Sequence, residues 1–178
     1  MALPSGPHRG RPAGTHPHLQ PLRRADVATF DVEPFTVDAR RTWFEHYAET
    51  GPHRLLVAQV EGQVDGQVAG YATSGPFRLK PAYARTVETT VYLDPTATGR
   101  GVGSLHYGEL LDLVTAEGMH RAYAGVALPN DASEALHRRL GFRDAGTFTD
   151  VGWKQDRWVE VRWYERALPW DTAARSGD

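Results

Sequence analysis

The segment of this sequence best suited to bind phosphate is residues 91–104, VYLDPTATGRGVGS. Strand-forming residues lead into three alternate glycines, Gly99, Gly101 and Gly103, and a helix is predicted to begin among them. Glycine lets the backbone approach a ligand closely, and the free N–H groups and positive dipole end of a helix N-terminus attract anions. The pattern therefore predicts a pyrophosphate-binding loop. An ordinary tight strand–helix turn would use the same glycines, and the spacing fits neither a Walker loop nor a dinucleotide-binding motif.

Two titratable side chains could move protons. Glu88 lies inside the run TVETTVYL at residues 86–93, where burial is costly for a carboxylate and would raise its pKa toward the range of a useful proton acceptor. A glutamate that faces water or pairs with an arginine is the alternative. His137 follows Asn130 by seven residues, which is two helical turns, so both side chains can meet the same ligand. For His137 the alternative is a structural or solvent-facing role.

Cationic side chains near residue 80 could bind the acidic end of a substrate. Arg78 and Lys80 lie two residues apart on a predicted loop, so both can point the same way beside Tyr83. Arg100, in the glycine-rich loop, could pair with a phosphate group. A solvated loop arginine is an equally good interpretation of Arg100.

Helical and strand patterns alternate along the chain in a way that predicts a mixed α/β domain. Antiparallel strands come first, then a strand–helix–strand–helix unit, then a final hairpin. In chain order the predicted elements are a helix from Thr36 to a stop at Gly51-Pro52, strands on both sides of a turn at Asp65-Gly66, strand 86–93, helix 101–117, strand 121–128, helix 130–140 and a hairpin over 145–166 with its tip at 154–157.

Composition excludes several classes of chemistry. The 178 residues contain no cysteine, which excludes disulfides, thiolate metal sites and a cysteine acyl-enzyme. The net charge of −2 provides no overall field for attracting nucleic acid or an anionic membrane, and neither is an expected partner. No apolar run approaches a membrane span and no signal peptide is recognisable, so we expect a cytoplasmic protein.

Proline content and polarity define the predicted domain boundaries. Residues 1–18 are rich in Pro, Arg and His without apolar periodicity and are predicted to be a flexible tail. Residues 19–169 are the predicted folded domain, and residues 170–178 a polar C-terminal tail. Metal binding by the tail histidines is the less favoured alternative to solvated side chains; these histidines are His8, His16 and His18.

The glycine-rich loop resembles the acetyl-CoA loop of the GNAT acetyltransferase superfamily, Gln/Arg-x-x-Gly-x-Gly/Ala. Gly101 and Gly103 match it, and Thr98 stands where Gln or Arg is usual. The second superfamily signature, an asparagine followed by a helix and Gly-Phe, runs from Asn130 to Gly141-Phe142. The chain is similar to one branch over about residues 55–168, the phosphinothricin and methionine sulfoximine or sulfone N-acetyltransferases. The segments that carry this similarity are 81–83 (PAY), 86–92 (TVETTVY), 128–131 (LPND) with Ser133 and 136–137 (LH), and 152–154 (GWK) with Trp158.

The resemblance implies a fold, a co-substrate and residue roles. The fold would be a mostly antiparallel twisted sheet with helices on both faces, its first helix shortened or missing because almost nothing separates Asp26 from Thr29. Acetyl-CoA would be the co-substrate, without a metal, and an amine would attack it directly. Glu88 would be the general base and His137 the acid for the thiolate. Acetyl-CoA would be held by Val91, Tyr92, Leu93, Gly99, Arg100, Gly101, Val102, Gly103, Ser104, Asn130 and Ser133.

The resemblance also implies an acceptor and an assembly. The acceptor would be a small amino-acid-like amine held by Arg78, Lys80 and Tyr83, with Lys80 in place of the arginine that is usual there. Homodimers are common in the branch, and an aromatic C-terminal hairpin would suit a shared interface; its residues are Trp153, Trp158, Trp163 and Tyr164. Two alternatives remain open. One is a GNAT enzyme for a polyamine, an aminoglycoside or a protein N-terminus. The other is an idle CoA-binding or dimerisation module, which a missing first helix would favour.

Overall fold

The fold is built on one six-stranded sheet with three helices in the part of the chain that the computed structural model describes, residues 37–59 and 68–169. The helices are α1 (Val37–Glu45), α2 (Val102–Ala116) and α3 (Asp131–Arg139). The strands are β1 (Leu55–Gln59), β2 (Val68–Pro76), β3 (Thr86–Leu93), β4 (Arg121–Ala127), β5 (Arg143–Lys154) and β6 (Arg157–Ala167), and short 3-10 helices span Pro81–Tyr83 and Pro95–Ala97.

The sheet is mostly antiparallel, in the order β1-β2-β3-β4-β6-β5. Only β3 and β4 run parallel among the described strands, and α2 makes the crossover that a parallel connection requires. The remaining neighbours pair antiparallel. This topology confirms the predicted mixed α/β class.

Helices cover both faces of the sheet. On one face α2 buries Tyr107, Leu110, Leu111 and Val114 in the main core, and each large side chain removed from water in this way contributes roughly 2 kcal/mol. Sheet residues from five strands complete this core, among them Ala72, Val87, Ala122 and Ala124. Tyr71 precedes Ala72 and so points to the other face, where its ring lies 5.7 Å from that of Trp43 on α1.

The element boundaries follow the sequence closely, with one correction. Strand 86–93 is as predicted, and α2 and α3 each lie within one residue of their predicted ends. The first described helix ends at Glu45 rather than at Gly51-Pro52. It closes with 3-10-type bonds, because the amide of His46 donates to the carbonyl of Trp43 (3.3 Å) and that of Tyr47 to the carbonyl of Phe44 (3.1 Å).

Some of the sequence-based expectations concern residues outside the described ranges. They are the flexible tails 1–18 and 170–178, the tail histidines, the turn at Asp65-Gly66 and the shortened first helix, which concerns residues before Val37.

Candidate active site

A cleft opens where the two parallel strands separate. β3 and β4 pair only through Thr86–Glu88 and Arg121–Tyr123. Beyond these residues β3 continues to pair with β2, and β4 with β6, so the strands diverge from each other. The cleft between them has a volume of about 590 Å³ and is lined by β3, the glycine-rich loop, the start of α2, β4 and α3.

The outer end of the cleft is the N-terminus of α2. Gly101, the residue before the helix, has φ +81°, and no side chain caps the first turn. Gly99 also has a positive φ of +73°, which explains why glycine occupies both positions. A Cβ at Gly103 would lie 2.8 Å from Cδ1 of Leu93, so this glycine permits close packing of helix against strand. The arrangement exposes helical N–H groups and the positive dipole end, which suits a pyrophosphate.

Most of the residues predicted to hold acetyl-CoA meet in this cleft. Those that line it are Val91, Tyr92, Leu93, Gly99, Gly101, Gly103, Ser104, Asn130 and Ser133. Arg100 and Val102 are not among the lining residues. Arg100 is exposed, and Val102 packs against the small cluster of Ala58, Ala69 and Ala97.

The first turn of α3 orients its cleft-facing side chains. Asn130 caps the helix, its Oδ1 accepting from the amide of Ser133 at 3.1 Å. The carbonyl of Ser133 in turn accepts from Nδ1 of His137 at 2.7 Å. One helix face therefore carries the cap and His137 to the same cleft, as the seven-residue spacing predicted.

His137 is enclosed, with only 3% of its surface exposed. Its ring stacks on that of Tyr164, with centroids 5.4 Å apart. Nδ1 is used by Ser133, and Nε2 lies 3.4 Å from the hydroxyl oxygen of Tyr107, at the long end of hydrogen bonding. Burial lowers the pKa of His137, although the bond to the Ser133 carbonyl opposes this shift.

Tyr107 and Thr89 extend this arrangement beneath the cleft wall. The Tyr107 hydroxyl lies 2.6 Å from Oγ1 of Thr89, which donates to the carbonyl of Tyr123 at 3.1 Å. Tyr107 is fully buried, and burial raises its pKa. Thr89 and His137 line the cleft, whereas Tyr107 lies behind them.

Glu88 lies in the last parallel pair before the strands separate, next to the lining residue Thr89 but not itself among the residues that line the cleft. It pairs with Gly75 of β2 and Tyr123 of β4, so β3 is an inner strand, and its side chain is half-buried. It points to the face opposite Val87 and Thr89. Burial raises the pKa of Glu88, and the positive charge of Arg78 opposes the shift.

The three predicted acceptor-binding residues lie on the β2–β3 connection, outside the cleft lining. The Arg78 guanidinium lies 4.2 Å from the ring centroid of Phe77 and donates to the Phe77 carbonyl at 2.6 Å. Lys80 is exposed, and Tyr83 exposes 42% of its surface with its ring 5.9 Å from that of Phe77. Phe77 also stacks on Tyr123 at 4.7 Å, so this group lies on the sheet face of Glu88.

Sequence reasoning missed several residues that line the cleft. Helical periodicity could have found one group on α3, because the spacing i, i+3, i+4, i+7 from Ala132 gives Ala135, Leu136 and Arg139, and all four line the cleft. Arg139 adds a cation to the lining of the cleft. Gly125, Val126 and Ala127 of β4 line the opposite wall, and only the divergence of β3 and β4 reveals them.

Neither a metal cluster nor a membrane-spanning helix is found in the part of the chain that the structure describes. Within ranges 37–59 and 68–169 no group of three or more His, Asp or Glu side chains could hold a metal ion. The helices in these ranges are too short or too polar to cross a membrane. The cytoplasmic location stays a prediction.

Comparison with known proteins places this architecture in a family. Residues 19–142 match the sequence profile of the Acetyltransferase (GNAT) family. The chain is 52% identical over 163 residues to a phosphinothricin N-acetyltransferase of Streptomyces coelicolor, covering 87% of this chain and 94% of that protein. It is 33% identical to an L-methionine sulfoximine/L-methionine sulfone acetyltransferase of Pseudomonas aeruginosa, over 80% of each chain. A crystal structure of a GNAT superfamily phosphinothricin acetyltransferase from Sinorhizobium meliloti, in complex with AcCoA, superposes with a TM-score of 0.77 at 30% identity, covering 90% of this chain and 88% of that one. On profile, sequence and fold together, the chain belongs to the acetyltransferase (GNAT) family.

Proposed function

We propose that this N-acetyltransferase moves the acetyl group of acetyl-CoA to the α-amine of a small, anionic, amino-acid-like substrate. One observation carries the proposal: a single cleft has an uncapped helix N-terminus in its wall, and Glu88 lies in the last β3–β4 pair, next to the lining residue Thr89. The likeness to phosphinothricin and methionine sulfoximine N-acetyltransferases supports the substrate class.

The residues present fit acetyl-CoA. The exposed N–H groups at the start of α2 and the cationic side chain of Arg139 suit the phosphates, and the glycines at 99 and 101 leave the backbone accessible. The diverging walls of β3 and β4, which no longer pair with each other beyond Glu88 and Tyr123, would hold the extended pantetheine arm, as an added strand is held. Acetyl-CoA supplies the activated acyl group, and CoA is the leaving group, which departs as a thiolate.

Glu88 is the group placed to accept the proton of the attacking amine. Because its pKa is raised, its carboxylate is a stronger base than an ordinary exposed glutamate. Its position on an inner strand fixes it relative to both walls of the cleft. With no cysteine in the chain, direct attack by the amine is the proposed route.

His137 is the candidate for the second proton step, in which its Nε2 holds the proton that finally neutralises the departing thiolate. It lines the cleft on the opposite side of the sheet plane from Glu88. In this proposal Glu88 takes a proton on one side of the sheet plane, and His137 supplies a proton on the other side.

A screen of acceptors tests the function directly. Phosphinothricin, methionine sulfoximine and methionine sulfone are offered beside spermidine and simple amines, with acetyl-CoA as donor. Since the chain contains no cysteine, a thiol reagent reports only the CoA that is released. We expect the amino acids to be acetylated in preference to the amines. Faster turnover of spermidine would overturn the substrate class, and no turnover of any amine would overturn the function.

Replacing Arg78 and Lys80, the two cations on the β2–β3 connection, should raise KM selectively for the amino-acid substrates. In an Arg78→Met/Lys80→Met variant we expect KM for the amino acids to rise about tenfold or more, because charge-assisted bonds to the carboxylate are lost, while KM for neutral amines changes little. Arg85→Met is the matched control, since Arg85 lies on the same connection but donates to the Gly118 carbonyl at 3.0 Å. Equal effects on acids and neutral amines would contradict this role.

We further propose that the chain forms a homodimer through the β5–β6 hairpin. β5 is an edge strand, exposed along most of both faces. Four apolar side chains of the hairpin each expose more than half of their surface, namely Phe148, Val151, Trp153 and Trp158. A second copy of the chain would cover this surface, and the family resemblance favours that occupant over another protein.

Charged substitutions in the hairpin should dissociate the dimer. We expect Trp153→Glu/Trp158→Glu to sediment as a monomer where the parent protein sediments as a dimer, because the charges would be buried at the interface. Leu79→Glu is the control, since Leu79 is 93% exposed on another surface. A monomeric parent protein, or a dimer that persists in the double variant, would contradict the interface.

A further inference from the structure

Both ring nitrogens of His137 face groups that can accept a hydrogen bond. Nδ1 lies 2.7 Å from the carbonyl oxygen of Ser133, which can only accept. Nε2 lies 3.4 Å from the hydroxyl oxygen of Tyr107. The role of that hydroxyl depends on Thr89, whose single proton is directed at the Tyr123 carbonyl. The 2.6 Å contact between Thr89 and Tyr107 then needs the Tyr107 proton, which leaves only lone pairs toward His137.

Two proton arrangements make the 3.4 Å contact between Nε2 and the Tyr107 hydroxyl a hydrogen bond. With imidazolium, Nε2 donates to Tyr107, Tyr107 donates to Thr89, and Thr89 donates to the Tyr123 carbonyl. With neutral imidazole protonated on Nδ1, the two hydroxyl groups donate in the other direction, so that Thr89 donates to Tyr107, Tyr107 donates to Nε2, and the bond from Thr89 to the Tyr123 carbonyl is lost. Only the first arrangement keeps the observed bond from Thr89 to the Tyr123 carbonyl. The geometry therefore favours a proton on Nε2, in opposition to the burial of the ring.

We propose that Tyr107 and Thr89 are positioning residues that form a hydroxyl relay, which holds a second proton on His137 and connects that proton to the cleft. Its part in acetyl transfer rests on the proposed function, but the relay itself is a property of the protein alone. A proton that leaves by this route passes from Nε2 to the Tyr107 oxygen, while the Tyr107 proton passes to Thr89 Oγ1 and the Thr89 proton to a base in the cleft. The imidazole is left neutral and the base gains one proton.

Among the described residues, Tyr107 is the hydrogen-bonding partner of Nε2, and the other groups packed around the His137 ring are engaged elsewhere or apolar. From β6, Tyr164 presents its ring, and its hydroxyl donates to Oε2 of Glu134 at 3.0 Å. Glu134 lies on α3 itself and is already paired. Its partners are Arg138 (2.5 Å) and Arg162 (3.0 Å). Phe142 adds an apolar edge, and the charge of Arg166 on β6 acts on the Tyr107 hydroxyl, where it opposes the burial that raises the pKa of Tyr107.

Titration of His137 by NMR tests the relay without any ligand. Long-range ¹H–¹⁵N correlations report the protonation of each ring nitrogen, and His137→Ala assigns the signals. We expect neutral His137 to carry its proton on Nδ1, and Tyr107→Phe to lower the pKa of the ring because Nε2–H loses its acceptor. Thr89→Val should lower it as well, while Thr89→Ser restores the parent titration. Tyr164→Phe is the matched control, since it removes a buried hydroxyl beside the ring but outside the relay, and should titrate as the parent does.

Kinetics supply a second readout. We expect Tyr107→Phe to reduce kcat about tenfold with KM for acetyl-CoA unchanged, and to move the alkaline limb of the pH–rate profile to lower pH. The inference is overturned if His137 titrates alike in the parent, Tyr107→Phe and Thr89→Val proteins, or if Nε2 never takes a proton in the folded state. Should Tyr107→Phe fail to fold, the Thr89→Val and Thr89→Ser pair decides. A protein that acetylates no amine yet shows the expected titrations would overturn the proposed function and leave the relay standing.

Discussion

Glu88→Gln is expected to lower kcat about 100-fold or more, with little change in the affinity for CoA. The substitution keeps the size of the side chain and removes its negative charge and its ability to take a proton. Because Glu88 lies on an inner strand between Gly75 and Tyr123, the amide can occupy the same place without disturbing the sheet. The loss should therefore appear in the chemical step and not in binding, which steady-state kinetics and calorimetry together measure.

The pH dependence of kcat/KM should also show that Glu88 acts as the base. A general base works only when deprotonated, and burial raises the pKa of Glu88 above the ordinary glutamate value of 4.5. The acidic limb of kcat/KM should thus lie above that value in the parent protein and disappear in Glu88→Gln. Arg78 opposes the shift, so Arg78→Met should move the limb to still higher pH.

The raised pKa of Glu88 also predicts that Glu88→Gln, although it loses activity, does not lose stability. A carboxyl whose pKa is higher in the folded state favours folding below the unfolded pKa, and that contribution is lost as the pH rises through the folded pKa. At neutral pH the Glu88 charge therefore opposes folding, and Glu88→Gln should unfold at the same temperature as the parent or higher.

Glu165→Gln is the matched control for both measurements. Glu165 lies on the same sheet face, where it accepts from the Tyr123 hydroxyl at 3.0 Å and pairs with Arg143 at 2.8 Å. Burial alone would raise its pKa, but these bonds and the nearby arginine charges outweigh it and lower the pKa of Glu165. We expect this variant to lose stability and keep the acidic limb. Full turnover in Glu88→Gln, or equal losses in the two variants, would remove Glu88 from the proton step.

The cofactor half of the site could be predicted because its chemistry depends on local sequence. A glycine at φ +81° and a helix that begins beside it are properties of a few consecutive residues, and Asn130 as a helix cap is equally local. The alternation of side chains along strand 86–93 likewise places Glu88 and Thr89 on opposite faces of the sheet, without any tertiary information. These features therefore appear in the sequence as glycine spacing, a cap residue and alternation.

The contacts behind the proposed relay could not be predicted, because they join three separate elements. In sequence Tyr107 resembles the core residues Leu110 and Leu111 of the same helix, so periodicity predicts only that it is buried. Its hydroxyl becomes significant through Thr89 of β3 and His137 of α3, which lie 18 and 30 residues away along the chain. Only the packing of α2 and α3 against the sheet brings these polar groups within hydrogen-bonding distance.

The side-chain positions of Arg78 and Lys80, on the β2–β3 connection, also could not be predicted from the sequence, for a different physical reason. Two cations spaced two apart on a loop can point the same way, but a loop has no fixed periodicity that makes them do so. In the structure Arg78 lies over the ring of Phe77 and Lys80 extends into solvent. Their positions depend on aromatic packing among Phe77, Tyr83 and Tyr123, which the sequence does not specify.

Gly101→Glu is expected to weaken CoA binding about 100-fold or more, the second large effect. Gly101 precedes the first turn of α2, and a Cβ built there has no atom within 4 Å, so a side chain would project into open space at the helix N-terminus. A carboxylate in that place would occupy the anion site with its own negative charge and repel pyrophosphate. The helix itself should tolerate the charge, because an acidic side chain near its N-terminus interacts favourably with the dipole.

Gly101→Ala separates the charge from the backbone strain. Both variants place a Cβ on a residue with φ +81°, which costs about 1 kcal/mol whatever the side chain, so both should unfold at similarly lowered temperatures. Only the glutamate adds negative charge, and we therefore expect calorimetry to show a small loss of CoA affinity for Gly101→Ala and a large one for Gly101→Glu. Equal losses would mean that loop geometry, and not anion recognition by the helix N-terminus, governs binding. Retained affinity in Gly101→Glu, or no affinity for CoA in the parent protein at millimolar ligand, would remove the cofactor from this cleft.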